Sequence, residues 1–299
     1  STVEPAKRKL DNGAGVLIRF ESNHRERPSM GFLDEVVFDA AASGLQFLYF
    51  KSKNKRRART FTTWSTKNGF RFWAKGKDYD GRLMDLPSPD VRAARSQGGH
   101  ALSAKARMAS RFFGESQLQT KLWSYCTNRF RGDWQTNANI MEGDWKNLPI
   151  TAFDTLWFQP SDQPSEGQYS SVFAQSPAPL PRAIISPSGI LASIKRLDEN
   201  QFLNLGYHKV EFEGESFNKT WKVKSANAKL AYDFISQSMI EYLMEHKHEK
   251  WHLEMGAEGV LISTVYSLSA EKIEKAMDFL AGFMTHIDHD LLESHPSPG

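Results

Sequence analysis

Three groupings in this sequence have residue types and spacings from which chemistry could be built. His286, His289 and Asp290 stand at i, i+3 and i+4, with His295 following. On a helix their imidazoles and carboxylate would share a face and could hold a divalent ion. Histidines in a last helical turn also interact favourably with the helix dipole without any metal. No second ligand group accompanies them, so the helix-end role is expected and no metal residue is assigned. His246, His248 and His252 form a second group. They straddle an expected helix-to-strand break, which undoes their four-residue spacing and leaves a solvated loop. The third is Ser216-Phe217-Asn218-Lys219, a Ser-x-x-Lys match in which lysine can activate serine when both share a helical turn. Here the pattern puts it in a turn between two strands, without the partner motifs.

Other routes to catalysis leave no local trace. Cys126 is the single cysteine, so no intramolecular disulfide can form, and beside Trp123 and Tyr125 it reads as a small buried hydrophobe. That cysteine usage fits a reducing compartment. The sequence has no phosphate-binding Gly-x-x-x-x-Gly-Lys-Ser/Thr loop and no Gly-x-Gly-x-x-Gly dinucleotide loop. Glu211, Glu213 and Glu215 alternate outward from a strand rather than converging as an acid/base pair. No catalytic residue, cofactor or metal is therefore expected.

The sharpest charge feature is Lys51-Ser52-Lys53-Asn54-Lys55-Arg56-Arg57-Ala58-Arg59. Over the whole chain charge is nearly balanced, with a net of only +3 over 299 residues, so local clustering is what informs. Lys51, Lys53, Lys55, Arg56, Arg57 and Arg59 are the candidate anion-binding residues. Near an anionic leaflet each is worth at most roughly 1 kcal/mol, enough in sum to hold a helix at a membrane surface. Nucleic acid is the competing partner, with Phe61, Trp64, Phe70 and Trp73 as possible stacking faces. A solvated helix start is the bland alternative.

The elements that would carry these residues follow from periodicity. Residues 1–31 mix Gly, Pro, Arg and Glu and read as a poorly anchored arm, without a secretory leader at Ser1–Leu10. Leu33, Val36, Val37, Ala40, Ala41, Gly44, Leu45 and Leu48 then make one apolar stripe, with Glu35, Asp39 and Gln46 opposite. From Val36 to Phe50 such a helix is roughly 22 Å long at ~1.5 Å per residue, short of the about 30 Å hydrocarbon core. An amphipathic surface helix is expected rather than a span. A second helix runs from the basic run through Phe61 and Trp64 to Asn68, capped by Gly69, and a short strand follows over residues 70–75. The Gly, Pro, Ser and Arg-rich stretch 78–100 reads as a linker.

Beyond it, Thr151–Phe158, Tyr169–Ala174, Ala183–Ser186, Lys209–Phe212 and Trp221–Lys224 read as strands separated by proline-bearing loops. Trp251–Met255 and Gly259–Tyr266 form a hairpin. One helix carries Leu230, Phe234, Ile235, Met239 and Tyr242. A last helix, N-capped at Ser269, aligns Ile273, Ala276, Met277, Leu280, Phe283, Met284 and Ile287 on one face. Short loops favour antiparallel pairing, because parallel crossovers would need helices between strands.

The stretch from His208 to Lys224, His-Lys-Val-Glu-Phe-Glu-Gly-Glu-Ser-Phe-Asn-Lys-Thr-Trp-Lys-Val-Lys, followed by Ala231 to Leu243, resembles an uncharacterised family of bacterial proteins known only as a domain of unknown function. Asn139 to Trp145 and Thr151 to Asp154 resemble an earlier strand pair of that family, and Trp64 to Phe72 its segment after a membrane anchor. The resemblance spans about three quarters of the chain. It implies a membrane-proximal protein with a soluble α+β domain, and offers no catalytic residues. Asp34, Glu35 and Asp39 interrupt the segment where that family's anchor would lie.

The expected fold is α+β, a mainly antiparallel sheet with flanking helices, preceded by an amphipathic N-terminal helix. The expected organisation is an arm, helix and basic segment at 1–77, a linker at 78–100 and an α+β domain at 101–299. The expected role is a non-enzymatic binding module, cytoplasmic and peripheral at the inner face of the cell membrane. Its partner would be the anionic membrane surface or a protein. Nucleic-acid binding and a hydrolase with dispersed catalytic residues are the alternatives.

Overall fold

The computed structural model describes residues 54–84, 134–159, 165–188, 207–256, 258–264 and 266–287. All of them fall in the compact unit that begins at Asn54. The expected amphipathic helix at 33–50 and Cys126 lie outside the described residues, as do Lys51, Lys53, His289, Asp290 and His295. No helix among the described residues is long and apolar enough to cross a membrane.

The chain is α+β. Helix α1 covers 54–67, followed by strands β1 (Arg71–Lys75), β2 (Trp134–Trp145), β3 (Leu148–Gln159), β4 (Ser165–Gln175), β5 (Ala183–Pro187) and β6 (His208–Val210). Then come α2 (Glu215–Thr220), β7 (Trp221–Ser225), α3 (Ala228–Phe234), α4 (Gln237–Glu245), β8 (His252–Gly256), β9 (Gly259–Ser263) and α5 (Ala270–Thr285). The nine strands form one sheet in the order β1-β2-β3-β4-β9-β8-β5-β7-β6. Every pairing is antiparallel.

Because strand side chains alternate, the sheet has two unlike faces. One bears Met141, Ile150, Ala152, Val172, Ile185, Val223, Leu253 and Ile262, packed with Phe61 of α1, Met239 and Leu243 of α4, and the stripe of α5. The other bears Ile140, Phe153, Phe173 and Leu261, packed with Tyr79 and Leu83. Residues 54–84 thus fold around the β1 edge, with α1 on the first face and 76–84 on the second. This departs from the expected organisation. The helix and strand grouped with the N-terminal arm belong to the sheet, and residues 78–84 of the expected linker are folded onto it.

Local chemistry explains most boundaries. Gly69 takes φ 73°, and the Phe70 N–H bonds to the Ser65 carbonyl at 2.8 Å, the glycine-terminated close of α1. Lys146 and Asn147 have φ of 50° and 66°, the mirror-image turn that joins β2 to β3 in two residues. Two elements differ from the pattern reading. The expected Lys209–Phe212 strand stops at Val210, because the Asn218 side chain takes the Phe212 N–H at 3.0 Å and donates to its carbonyl at 2.5 Å. The helix through Leu230 and Tyr242 is two helices. Ser236 interrupts it and caps the second by accepting from Met239 N–H at 3.3 Å.

α5 matches its periodicity. Ile273, Ala276, Met277, Leu280, Phe283, Met284 and Ile287 are buried, while Glu271, Lys272 and Lys275 are exposed. Ser269 caps it by accepting from Lys272 N–H. Glu274 and Asp278 sit half-buried, and the indoles of Trp64 and Trp145 donate to them at 3.3 and 2.9 Å. Gly282 lets α4 approach, since a Cβ there would lie 2.8 Å from the Tyr242 ring. Phe283→Ala and Leu280→Ala should each cost about 2–5 kcal/mol through lost transfer energy and a cavity. Glu271→Ala and Lys275→Ala should stay within about 0.5 kcal/mol. Chemical denaturation midpoints of the four variants check both halves of this expectation.

Candidate functional site

α1 divides the basic run. Its 3.6-residue period turns Arg57, Phe61, Trp64 and Ser65 toward the sheet, and leaves Lys55, Arg56 and Arg59 in solvent with Lys67 further along. No acidic residue occurs between 54 and 67, and Lys55, Arg56 and Arg59 have no carboxylate partner among the described residues. Among the described residues they form a cationic face without acidic partners, suited to an anionic ligand.

Arg57 is committed elsewhere. Its Nε and Nη2 donate to the two oxygens of Asp154 at 2.5 and 2.8 Å, a bidentate pair on the helix-bearing face of β3. Asp154 also accepts from Asn139 Nδ2 at 2.8 Å, Gln168 Nε2 at 2.9 Å and Ser170 Oγ at 2.7 Å. Asn139 reaches it from a β-bulge in β2, where it adopts φ 51°, a conformation asparagine tolerates better than most residues. Ser170 Oγ in turn accepts from Arg57 Nη2 at 2.9 Å and from the Leu268 N–H at 2.8 Å. The guanidinium lies 4.2 Å from the Phe61 ring centroid. Five donors saturate the carboxylate, which makes this cluster a clasp between α1, the sheet and the segment leading into α5.

A second buried carboxylate serves the opposite face. Glu142 on β2 accepts from the Tyr79 hydroxyl, from Arg71 and, at 2.9 Å, from the Arg82 N–H. Burial, followed by the Glu142 hydrogen bond, pushes the Tyr79 phenol well above its ordinary range, so it stays a donor. Arg71 and Arg82 therefore balance buried charge rather than extend the cationic face.

The proposed stacking aromatics are also occupied. Phe61 and Phe70 are buried, and Trp64 packs edge-on to Phe70 with centroids 5.2 Å apart. Trp73 packs on Tyr79 at 4.9 Å. His246, His248 and His252 were expected in a solvated loop, yet of the three only His248 is exposed. His252 is buried in β8, with Nε2 3.3 Å from Glu254 Oε1, and Ser263 Oγ is 3.5 Å from the same oxygen. The carboxylate is the shared partner there, whereas nucleophilic catalysis places the imidazole between hydroxyl and carboxylate. Ser216 and Lys219 do fall on one helical turn, α2, contrary to expectation. Both are exposed, and Lys219 pairs with Glu215 at 2.6 Å.

The two histidine groups meet at Tyr242. His246 ends α4 and His286 ends α5, and their rings lie 4.2 and 4.9 Å from the Tyr242 ring. The Tyr242 hydroxyl donates to the Phe279 carbonyl at 2.8 Å, and His246 Nδ1 lies 2.9 Å from the Tyr242 carbonyl. No group of three or more metal-ligating side chains occurs among the described residues. Each histidine stands where a helix's partial negative end favours it.

No protein-family model matches the chain, and no curated protein matches it. Among solved structures it is similar to the crystal structure of the mycobacterial trehalose monomycolate transport factor A, TtfA. That likeness has 10% identity and a TM-score of 0.44, over 81% of this chain and 98% of the other. At that distance it says nothing of what this chain binds.

Two measurements probe the clasp and the ring stack. Asp154→Ala, which leaves the Arg57 guanidinium buried without its carboxylate, should cost about 3–5 kcal/mol. Arg57→Met with Asp154→Leu should recover part of that loss, and a double-mutant cycle by urea denaturation reads the coupling. Burial first, then the nearby charges of Glu249, Asp278 and Glu245, push the Tyr242 phenol up to about 12. An unfolded tyrosine ionises near about 10, so the unfolded chain loses its proton first. Stability from this group is complete below that pH and falls between about pH 10 and 12. Tyr242→Phe should flatten that limb of a stability–pH curve.

Proposed function

We propose that this chain is a non-catalytic module that docks on an anionic membrane surface, at the inner face of the cell membrane, through the outer face of α1. The observation that carries the reading is the split of the basic run. Arg57 holds the helix to the sheet, while Lys55, Arg56 and Arg59 stay exposed without carboxylate partners among the described residues. Lys51 and Lys53 adjoin them in sequence. At roughly 1 kcal/mol per charge near an anionic leaflet, Lys55, Arg56 and Arg59 alone would strengthen association by about two orders of magnitude. The membrane-proximal placement implied by the resemblance of 64–72 and 208–243 to an uncharacterised bacterial family points the same way.

The docking face bears no large apolar side chain, since Phe61 and Trp64 are turned to the core. Attachment through α1 is therefore electrostatic and superficial, and salt should weaken it. Phe61 and Phe70 are buried, and Trp64 and Trp73 are partly buried against neighbouring rings, which weighs against base stacking.

Flotation with phosphatidylglycerol-containing vesicles against pure phosphatidylcholine vesicles tests the reading. The chain should float only with the anionic vesicles. The variant Lys55→Gln/Arg56→Gln/Arg59→Gln should lose most of that recovery while melting like the parent. Equal recovery on both lipids, or an unchanged triple variant, would sink the proposal. A salt-sensitive mobility shift with a single-stranded oligonucleotide, without flotation, would move the surface to nucleic acid.

A further inference from the structure

The outer face of α1 has an odd composition for a solvated helix. Among its cations stand Thr60, Thr62, Thr63 and Thr66, all exposed. β-Branched threonine forms helices poorly, because its side-chain freedom is lost against the preceding turn. None of the four joins a buried core that would compensate. Each hydroxyl donates to the carbonyl four residues back, with Thr62 reaching Ala58 at 2.8 Å and Thr63 reaching Arg59 at 3.1 Å. Thr62 and Thr63 follow Arg59 by three and four residues, so both flank that guanidinium on the helix surface. An exposed hydroxyl with arginine on its N-terminal side is what a protein kinase with an acidic substrate groove would bind, by simple charge complementarity.

We infer that Thr62 and Thr63 are phosphoryl-acceptor sites through which a nucleoside-triphosphate-dependent kinase releases the α1 face from anionic lipid. In the transfer, Thr Oγ1 forms a bond to the γ-phosphorus as the bond to the β–γ bridging oxygen breaks. The hydroxyl proton passes to the kinase's base, and the nucleoside diphosphate leaves. The ester adds about −1.5 to −2 charges next to Arg59 and pairs with it. Against Lys55, Arg56, Arg59 and Lys67 it cancels close to half of the positive charge. With each charge near the surface worth about fivefold in partitioning, one phosphate should weaken lipid binding roughly 10- to 25-fold.

The control rests on the surface reading above, and one experiment separates the two. The full chain is incubated with ATP and a purified kinase that prefers arginine before its acceptor hydroxyl, then mapped by phosphopeptide mass spectrometry. Native and modified chains are floated with phosphatidylglycerol vesicles, beside Thr62→Val/Thr63→Val and Thr62→Glu/Thr63→Glu. Phosphate should appear at Thr62 or Thr63. The modified chain and the glutamate variant should lose flotation, and the valine variant should keep it after kinase treatment. Absence of phosphate at both positions, or flotation unchanged by phosphate and by glutamate, overturns the inference and leaves the surface reading standing. If the untreated chain itself fails to float, the surface reading fails and the control falls with it.

Discussion

A carboxylate in the middle of an apolar sheet face is the constraint around which this molecule is arranged. Asp154 follows Ile150 and Ala152 on the same side of β3 and is fully buried. An isolated charge there would cost several kcal/mol, so the position is tolerable only with a cation and a full set of donors. Arg57 supplies the cation, and a bulge, a glutamine and a serine supply the rest. Because the guanidinium must lie in the plane of the carboxylate, the pair fixes the rotation of α1 as well as its position. That rotation decides which basic residues of the run meet water.

Glu142 imposes the corresponding demand on the opposite face. Its partners Arg71, Tyr79 and Arg82 all come from the same N-terminal segment that supplies Arg57. Two buried carboxylates on neighbouring strands, one per face, therefore hold residues 54–84 around the sheet edge. Aromatic packing completes the attachment. Trp64, Phe70 and Trp145 share one cluster, and the indoles of Trp64 and Trp145 reach Glu274 and Asp278 on α5. Buried polar pairs of this kind add little net stability compared with apolar replacements, but breaking one partner is costly, so they specify an arrangement.

The cationic face inherits its rigidity from this clasp. Lys55, Arg56 and Arg59 are ordinary surface residues taken one at a time. Their effect depends on being held on one side of a helix that cannot roll, with no acid beside them. On the proposed reading, charge held in a fixed pattern would meet headgroups without first losing the conformational freedom of a loose segment. The threonines between them leave that face free of both apolar contact and neutralising acid, which leaves charge as its only handle.

Periodicity determined much of this from the sequence alone. The α5 stripe, the cap at Ser269, the close of α1 at Gly69, the hairpin after Trp251 and the antiparallel α+β class all depend on neighbours within a few residues. The partners of buried charge depend on tertiary structure, because Arg57 and Asp154 are 97 residues apart and Arg71 and Glu142 are 71 apart. Nothing local distinguishes Arg57 from Arg56 or Arg59 until the sheet presents a carboxylate to one of them. The same holds for the meeting of His246 with His286 on Tyr242. Helix and strand signals are carried by short-range sterics and hydrophobic spacing. The identity of a buried ion pair is set by which surfaces fold together, and only the tertiary structure decides that.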